Sequence, residues 1–317
     1  MISKEFSREN KKAVIICGPT GSGKSSLGIS VCERFGGSII GADSRQIYRR
    51  LDIGTAKPSK DDMLRIPHYL IDIVEITEEF SAVKFAELAR DYIEQILEAG
   101  RIPIIVGGAG LYLEALTKGI VEAPPKDDEI RRGLEERIRR EGSARLHEEL
   151  SRIDPESARE ISPNDPVRIV RALEIFELAG EPASSIRKAG GYPEPEIDFL
   201  WIGMDLPREE VYARINARVD RMIEAGLEKE VRKLVDDGMG AALRKRKIVG
   251  YTELLDYFDG EHSIREAAEL IKQHTRNYAK RQMTWFRNRI SPEWINPLEI
   301  GFHSKVFGLI DDYLKRT

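Results

Sequence analysis

The chain has 317 residues, 41% of them hydrophobic and 33% charged, with a formal net charge of −4 at pH 7. That is enough for one large or two modest domains around an ordinary apolar core, and it excludes a globally basic nucleic-acid binder, so any such site must come from local Lys/Arg patches. Its two cysteines, Cys17 and Cys32, exclude a disulfide framework and a CxxC metal pair; no run approaches the roughly 18 apolar residues of a membrane span, and the opening MISKEFSRENKK lacks an apolar signal core, so a cytoplasmic protein with no membrane partner is expected.

Ala13–Cys17 (AVIIC) reads as a buried strand. It runs into Gly18-Pro19-Thr20-Gly21-Ser22-Gly23-Lys24-Ser25, which spells G-x-x-x-x-G-K-[ST], and then into a helical pattern of Leu27, Ile29, Val31, Cys32 and Phe35. Strand, loop and helix are the context that a phosphate-binding loop requires. The glycines let backbone N–H groups turn inward around an anion, and the helix N-terminus adds partial positive charge. Lys24 is placed to reach the terminal phosphate and Ser25 to offer its hydroxyl to Mg²⁺. Cys17 and Cys32, on this strand and helix, read as packing residues.

Ser38–Ile40 is a short strand ending at Gly41-Ala42-Asp43-Ser44. Asp43 therefore faces the bound phosphates, and three roles stay open for it: a water-mediated Mg²⁺ contact, a general base, or the cap of the following turn. Asp52–Pro58 (DIGTAKP) is polar and turn-rich, either a surface loop or a substrate-lining one. His68–Val74 (HYLIDIV) predicts a third strand. Ser81 caps an amphipathic helix with Phe85, Leu88, Ala89, Tyr92, Ile93, Ile96 and Leu97 on one face, ended by Gly100. Ile102–Val106 is a fully apolar strand, followed by Gly107-Gly108-Ala109-Gly110 and another helix. This alternation argues a parallel sheet covered by helices. Ligands of such sheets bind beyond the carboxyl ends of the strands, where the Gly18 loop, Asp43-Ser44 and the Gly107 turn all fall.

The texture changes at Glu122–Asp128, and from Asp127 to Ala189 the chain is helical and charged, without a convincing strand. Gly190–Pro195 is a second boundary, after which Asp198–Leu206 returns as a strand and the remainder is largely helical. The simplest organisation is a helical domain, residues 124–196, inserted into an α/β core of residues 1–123 and 197–317. Arg214 and Arg218 lie one helical turn apart, either on a solvated helix face or reaching a diphosphate from the side opposite Lys24. Gly240–Ile290 holds eleven Lys or Arg against six Asp or Glu. Its Lys272, Arg276, Lys280, Arg281, Arg287 and Arg289 interleave with Tyr278, Trp285 and Phe286. The charges suit a phosphate backbone. The aromatics suit either base stacking or the inner face of an amphipathic helix.

Taken in order, GPTGSGKS (18–25), ADSRQIYRRLDIGTAKP (42–58), IPIIVGGAGLY (102–112), NDPVRIVRALE (164–174), YARINARVD (212–220), KIVGYTE (247–253) and TRNYAKRQMTWFR (275–287) resemble the tRNA dimethylallyltransferase family, also called tRNA isopentenyltransferases. The phosphate loop is widely shared; DSRQIY with DIGTAKP is far more specific, and NDPxRxxRALE with the KRQxTWFR ending resembles the tRNA-acting branch. The resemblance implies a P-loop NTPase-like parallel α/β core with a helical insertion that binds tRNA. It implies transfer of a dimethylallyl group from dimethylallyl diphosphate to the exocyclic amine of an adenosine beside the anticodon, with Mg²⁺; a monomer is expected. It assigns the loop Gly18, Pro19, Thr20, Gly21, Ser22, Gly23, Lys24 and Ser25 to the donor diphosphate, with Ser25 at the metal. Asp43 is implied as the general base, and Lys24, Thr20 and Arg218 as the other catalytic groups. It places Asp43, Ser44, Arg45, Gln46, Ala109, Arg131, Val167, Arg168, Ile169, Val170, Arg171, Lys247, Ile248, Val249, Gly250, Tyr251 and Thr252 against the RNA. One residue departs: the family usually has Thr after the Gly-Gly pair, where this chain has Ala109, at a cost on the order of 1 kcal/mol for the lost hydrogen bond.

Two other uses of the same loop compete. A small-molecule or nucleotide kinase would bind ATP there and need an arginine-rich lid, for which Arg131, Arg137 and Arg139 are candidates. A nucleotide-dependent RNA-binding switch would form no covalent product. Neither requires the DSRQIY segment.

Overall fold

The computed structural model describes residues 11–119, 123–189 and 196–316. Two compact units divide the chain: Met1–Thr117 with Glu196–Thr317, and Lys118–Pro195.

The larger unit begins β1 (Lys11–Cys17), α1 (Lys24–Phe35), β2 (Gly37–Ala42), α2 (Lys60–Arg65), β3 (His68–Tyr69), α3 (Ala82–Glu98), β4 (Ile102–Gly107) and α4 (Gly110–Lys118). The smaller unit contributes α5 (Asp128–Glu141), α6 (Ser143–Ile153), α7 (Pro155–Glu160), α8 (Pro166–Ala179) and α9 (Ala183–Ala189). The chain then returns to the sheet through β5 (Ile197–Met204), α10 (Arg208–Glu224), α11 (Leu227–Asp236), α12 (Gly240–Arg246), α13 (Thr252–Phe258), α14 (Ile264–Arg289), β6 (Glu293–Ile295) and α15 (Phe302–Lys315).

The strands form one sheet in the order β3-β2-β4-β1-β5-β6, and every pairing is parallel. Nearly every residue of β1, β2 and β4 is buried, because helices cover both faces, which is why these segments read as continuous apolar runs. One face packs Val14, Ile16, Ile104 and Ile202 against α1 and α15. The other packs Ala13, Ile15 and Ile105 against Phe85, Ile93, Leu113 and Phe286. Cys17 and Cys32 are packing residues, and burial pushes both thiols up to about 12.

Two elements differ from the sequence expectation. Only His68 and Tyr69 of the expected strand 68–74 pair in the sheet, with Ile39 and Ile40. Leu70 and Asp72 adopt φ of 61° and 56°, which turns the chain away. Asp72 and Ile73 then hydrogen-bond to the carbonyls of Gln46 and Ile47. Strand β6 was not expected at all, since three residues carry no readable period.

The smaller unit has its own core of Leu134, Leu146, Leu150, Ile169, Val170 and Leu173. Caps stop its helices where the polar residues stand: the side chains of Asp127, Asp154 and Asp165 accept backbone N–H groups at the starts of α5, α7 and α8. Burial would raise the Asp154 carboxyl, but hydrogen bonds from Ser157 and Ser184 outweigh it and hold the group down at about 2. The expected boundary at Gly190–Pro195, and Glu122 of the earlier one, lie outside the described residues. Among the described residues no helix is long and apolar enough to cross a membrane.

Candidate active site

The sheet order places the ends of β2, β4, β1 and β5 side by side, so the residues that follow each of them meet at one edge. After β1 comes the phosphate loop. Gly21 and Gly23 have φ of 83° and 91°, conformations that side chains resist, and they turn the loop so that α1 starts pointing into it. The Lys24 ammonium donates to the Pro19 carbonyl at 3.2 Å. Lys24 keeps some surface open to solvent yet is ringed by protein atoms. That desolvation pushes its pKa down to about 8, with nearby Arg218 pushing the same way and Asp43 pulling it back up.

Helix α10 closes the loop from above. The Arg218 guanidinium donates to Thr20 Oγ1 at 2.6 Å, while its Nε is buried without a partner among the described residues. A guanidinium desolvated in this way fits an anion, and burial lowers its pKa against the pull of Asp43. Arg214, one turn earlier, lies beside Gly23. Both arginines therefore face the loop rather than forming a solvated stripe.

Asp43 follows β2. Its Oδ1 accepts the N–H groups of Arg45 at 2.8 Å and Gln46 at 3.4 Å. Oδ2 makes no hydrogen bond to any described residue, so one oxygen caps the turn and orients the carboxylate while the other stays free to take a proton. Gln282, on α14, ties the loop to the end of β4: its Oε1 accepts Thr20 N–H at 2.9 Å and its Nε2 donates to Gly108 O at 2.9 Å. Sequence reasoning assigned Gln282 no role. A Gln inside an amphipathic pattern, on the buried face, was the available signal.

Asp43, Thr20, Arg45 and Arg218 border a cavity of about 240 Å³. Gly54, Thr55 and Ala56 line one wall, Lys247–Gly250 another, and Thr275, Tyr278 and Arg281 of α14 a third. DIGTAKP is thus a lining loop. Lys57 behind it is consumed structurally, held by Asp52, Asp72 and the Tyr48 carbonyl.

Several residues expected against the RNA also have structural partners. Gln46 spends both hydrogens of its amide on the carbonyls of Thr55 and Ala56, at 3.1 and 3.0 Å. Ile248 is a core side chain that also lines the cavity, Tyr251 is a buried core side chain, and Thr252 begins α13. Ala109 packs at the start of α4 and does not line the cavity. Ser44 is partly exposed beside Asp43. Of the α14 aromatics, Phe286 is fully buried and Trp285 lies against the Gly110 backbone, leaving Tyr278 at the cavity. Lys280, Arg281, Arg287 and Arg289 are exposed on the same helix.

In the smaller unit, Val167 and Arg168 are exposed, but Ile169 and Val170 are core side chains of α8, one helical step away from the surface. Arg131 and Arg171 both bind Glu174, at 3.0 and 2.9 Å, and Arg171 also donates to Pro124 O. Glu174 is fully buried, so these two arginines neutralise it. Arg137 is bound to Glu149, which leaves little of the lid that a kinase would need.

The residues present fit Mg²⁺. The Ser25 hydroxyl has no protein partner among the described residues, and hard oxygen donors stand at the loop without a full protein cage. That suits an ion that shares its ligands with substrate phosphates and water. The described residues hold one three-residue group of suitable spacing, Asp256, Glu261 and His262, in which Asp256 is already paired with Arg244 at 2.8 Å.

The sequence model of the family described as IPP transferase matches residues 46–289. A tRNA dimethylallyltransferase of Geobacter metallireducens is 47% identical over 287 residues, covering 90% of this chain and 93% of that one. The crystal structure of a tRNA isopentenylpyrophosphate transferase from Staphylococcus epidermidis superposes with a TM-score of 0.69 at 37% identity, covering 97% of this chain and 100% of that one. A eukaryotic dimethylallyltransferase seen acting on tRNA gives a TM-score of 0.77 at 26% identity, over 96% of this chain and 80% of that one. With matches of this extent to both sequence and fold, the chain belongs to the IPP transferase family of tRNA dimethylallyltransferases.

Proposed function

We propose that the protein transfers the dimethylallyl group of dimethylallyl diphosphate to the exocyclic amine of an adenosine adjacent to the anticodon of a tRNA. The observation that carries this reading is the meeting of a phosphate loop, a desolvated arginine and a half-free carboxylate at one cavity. The loop amides, Lys24 and Arg218 hold the donor's diphosphate. The base amine is a weak nucleophile, because its lone pair is conjugated with the ring. Its nitrogen bonds to the allylic carbon as the carbon–oxygen bond breaks. The bonding pair leaves with the diphosphate, whose growing charge Lys24, Arg218 and the loop amides stabilise. The amine proton passes to Asp43 Oδ2, while Oδ1 is kept in place by the two backbone N–H groups. Mg²⁺, held through Ser25, would neutralise part of the diphosphate charge.

A stacked base cannot reach such a cavity, so the adenosine is taken out of its stack. Exposed Lys280 and Arg281 supply local positive charge beside the cavity that a chain of net charge −4 lacks overall, and Arg168 is exposed in the helical unit. The core catalyses, and the unit Lys118–Pro195 adds RNA affinity. The test is mass spectrometry of an anticodon stem-loop RNA incubated with protein, dimethylallyl diphosphate and Mg²⁺. Adenosine carrying one dimethylallyl group is expected. Unmodified RNA would refute the reading, and a parallel incubation with ATP that yields phosphorylated product would favour a kinase.

A further inference from the structure

The two loops that wall the cavity hang on one carboxylate outside it. Glu230, in α11, accepts the N–H groups of Asp52 at 3.2 Å and Ile53 at 2.8 Å through Oε2. Its Oε1 accepts Gly54 N–H at 3.3 Å and the Tyr251 hydroxyl at 2.5 Å. Three consecutive amides turned to one side make an anion-binding nest, and here a side chain fills it. Tyr251 is fully buried, and burial together with the Glu230 charge keeps its phenol protonated, hence a donor. The contact is close enough to exclude any side chain at residue 54, where a Cβ would lie 2.5 Å from the Tyr251 ring. Gly54, Thr55 and Ala56 on one side, and Ile248, Val249 and Gly250 on the other, line the cavity. Gln46 also holds the first loop, through the Thr55 and Ala56 carbonyls.

We propose that Glu230 is a positioning residue for the RNA acceptor, setting the separation of the 52–56 and 247–252 loops by binding both. This rests on the transferase reading of the cavity. Glu230 keeps part of its surface in solvent and touches neither the phosphate loop nor Asp43. Without it, water can satisfy the three amides, so the chain stays folded while the walls lose their common anchor.

The test compares wild type, Glu230→Ala, Tyr251→Phe and the double variant, using anticodon stem-loop RNA and dimethylallyl diphosphate. For Glu230→Ala, KM for the RNA is expected to rise about 10- to 100-fold, the worth of one or two charge-assisted hydrogen bonds. Donor affinity should stay within about twofold, as for a distant site. Hydrogen exchange at the amides of residues 52–54 should accelerate. Tyr251→Phe keeps the three amide bonds, so exchange at residues 52–54 should stay near wild type, and it should raise the same KM about three- to tenfold. Because the tyrosine acts through Glu230, the double variant should be no worse than Glu230→Ala. An unchanged RNA KM, a parallel loss of donor affinity, or effects that multiply in the double variant would overturn the proposal. If Glu230→Ala does not fold, Tyr251→Phe alone decides: a raised RNA KM with unchanged donor affinity supports the proposal, and an RNA KM equal to wild type overturns it. A wild-type protein that forms no allylated RNA would instead overturn the transferase reading.

Discussion

Replacing Asp43 with Asn separates its two oxygens. The Asn carbonyl can keep the N–H bonds of Arg45 and Gln46, so the turn survives, while an amide nitrogen replaces the oxygen that is free to take a proton. A positioned proton acceptor is worth about 10²–10⁴ in rate, or about 2.7–5.4 kcal/mol of barrier. Single-turnover rates on stem-loop RNA should fall by that factor with little change in RNA affinity. The same substitution removes the charge that pulls the Lys24 pKa up against burial and Arg218. Lys24 in the free enzyme titrates at about 8. Below that pH the ammonium is present and donor affinity should be flat. Above it the protein must take up a proton to bind, and affinity should fall towards tenfold per pH unit. In Asp43→Asn this break should move to lower pH. Calorimetric titration of the donor across pH 6.5–9.5, roughly centred on that break, reads it directly. A single-turnover rate within a few-fold of wild type would refute the base assignment, and a break that does not move would refute the electrostatic link.

Arg218→Ala should slow the chemical step by about 10²–10³, the usual worth of one preorganised donor to a developing anion, with RNA binding unchanged; an intact single-turnover rate with lost RNA affinity would make it an RNA contact. Gln282→Leu strands the Thr20 N–H and the Gly108 carbonyl, each costing about 1–3 kcal/mol, so the urea midpoint should drop at constant slope. Arg168→Ala should weaken RNA binding and flatten its salt dependence by about one phosphate, as filter binding at several salt concentrations would reveal. Arg171→Ala should instead destabilise, because it leaves buried Glu174 with Arg131 as its one remaining cation; a thermal melt that matches wild type would contradict this.

Much of the architecture is written in short-range signals. Apolar runs mark β1, β2 and β4, glycine spacing marks the phosphate loop, and Ser81 caps α3 through Lys84 N–H. Each of these acts within a few residues, so the linear sequence suffices to place Lys24, Ser25 and Asp43 at one edge of a parallel sheet. The segment 68–74 failed on the same ground, since its apolar content suits a strand and only the turns at Leu70 and Asp72 decide otherwise. Which oxygen of Asp43 stays free, and that Arg131 and Arg171 serve Glu174, depend on partners that the fold brings close. Gln282 meets Thr20 across 262 positions of sequence, and Glu230 meets Asp52 across 178. A backbone amide left without a partner by its own loop takes whatever acceptor the packing delivers. No local pattern encodes that choice, because it exists only once the sheet and the helices around it have closed.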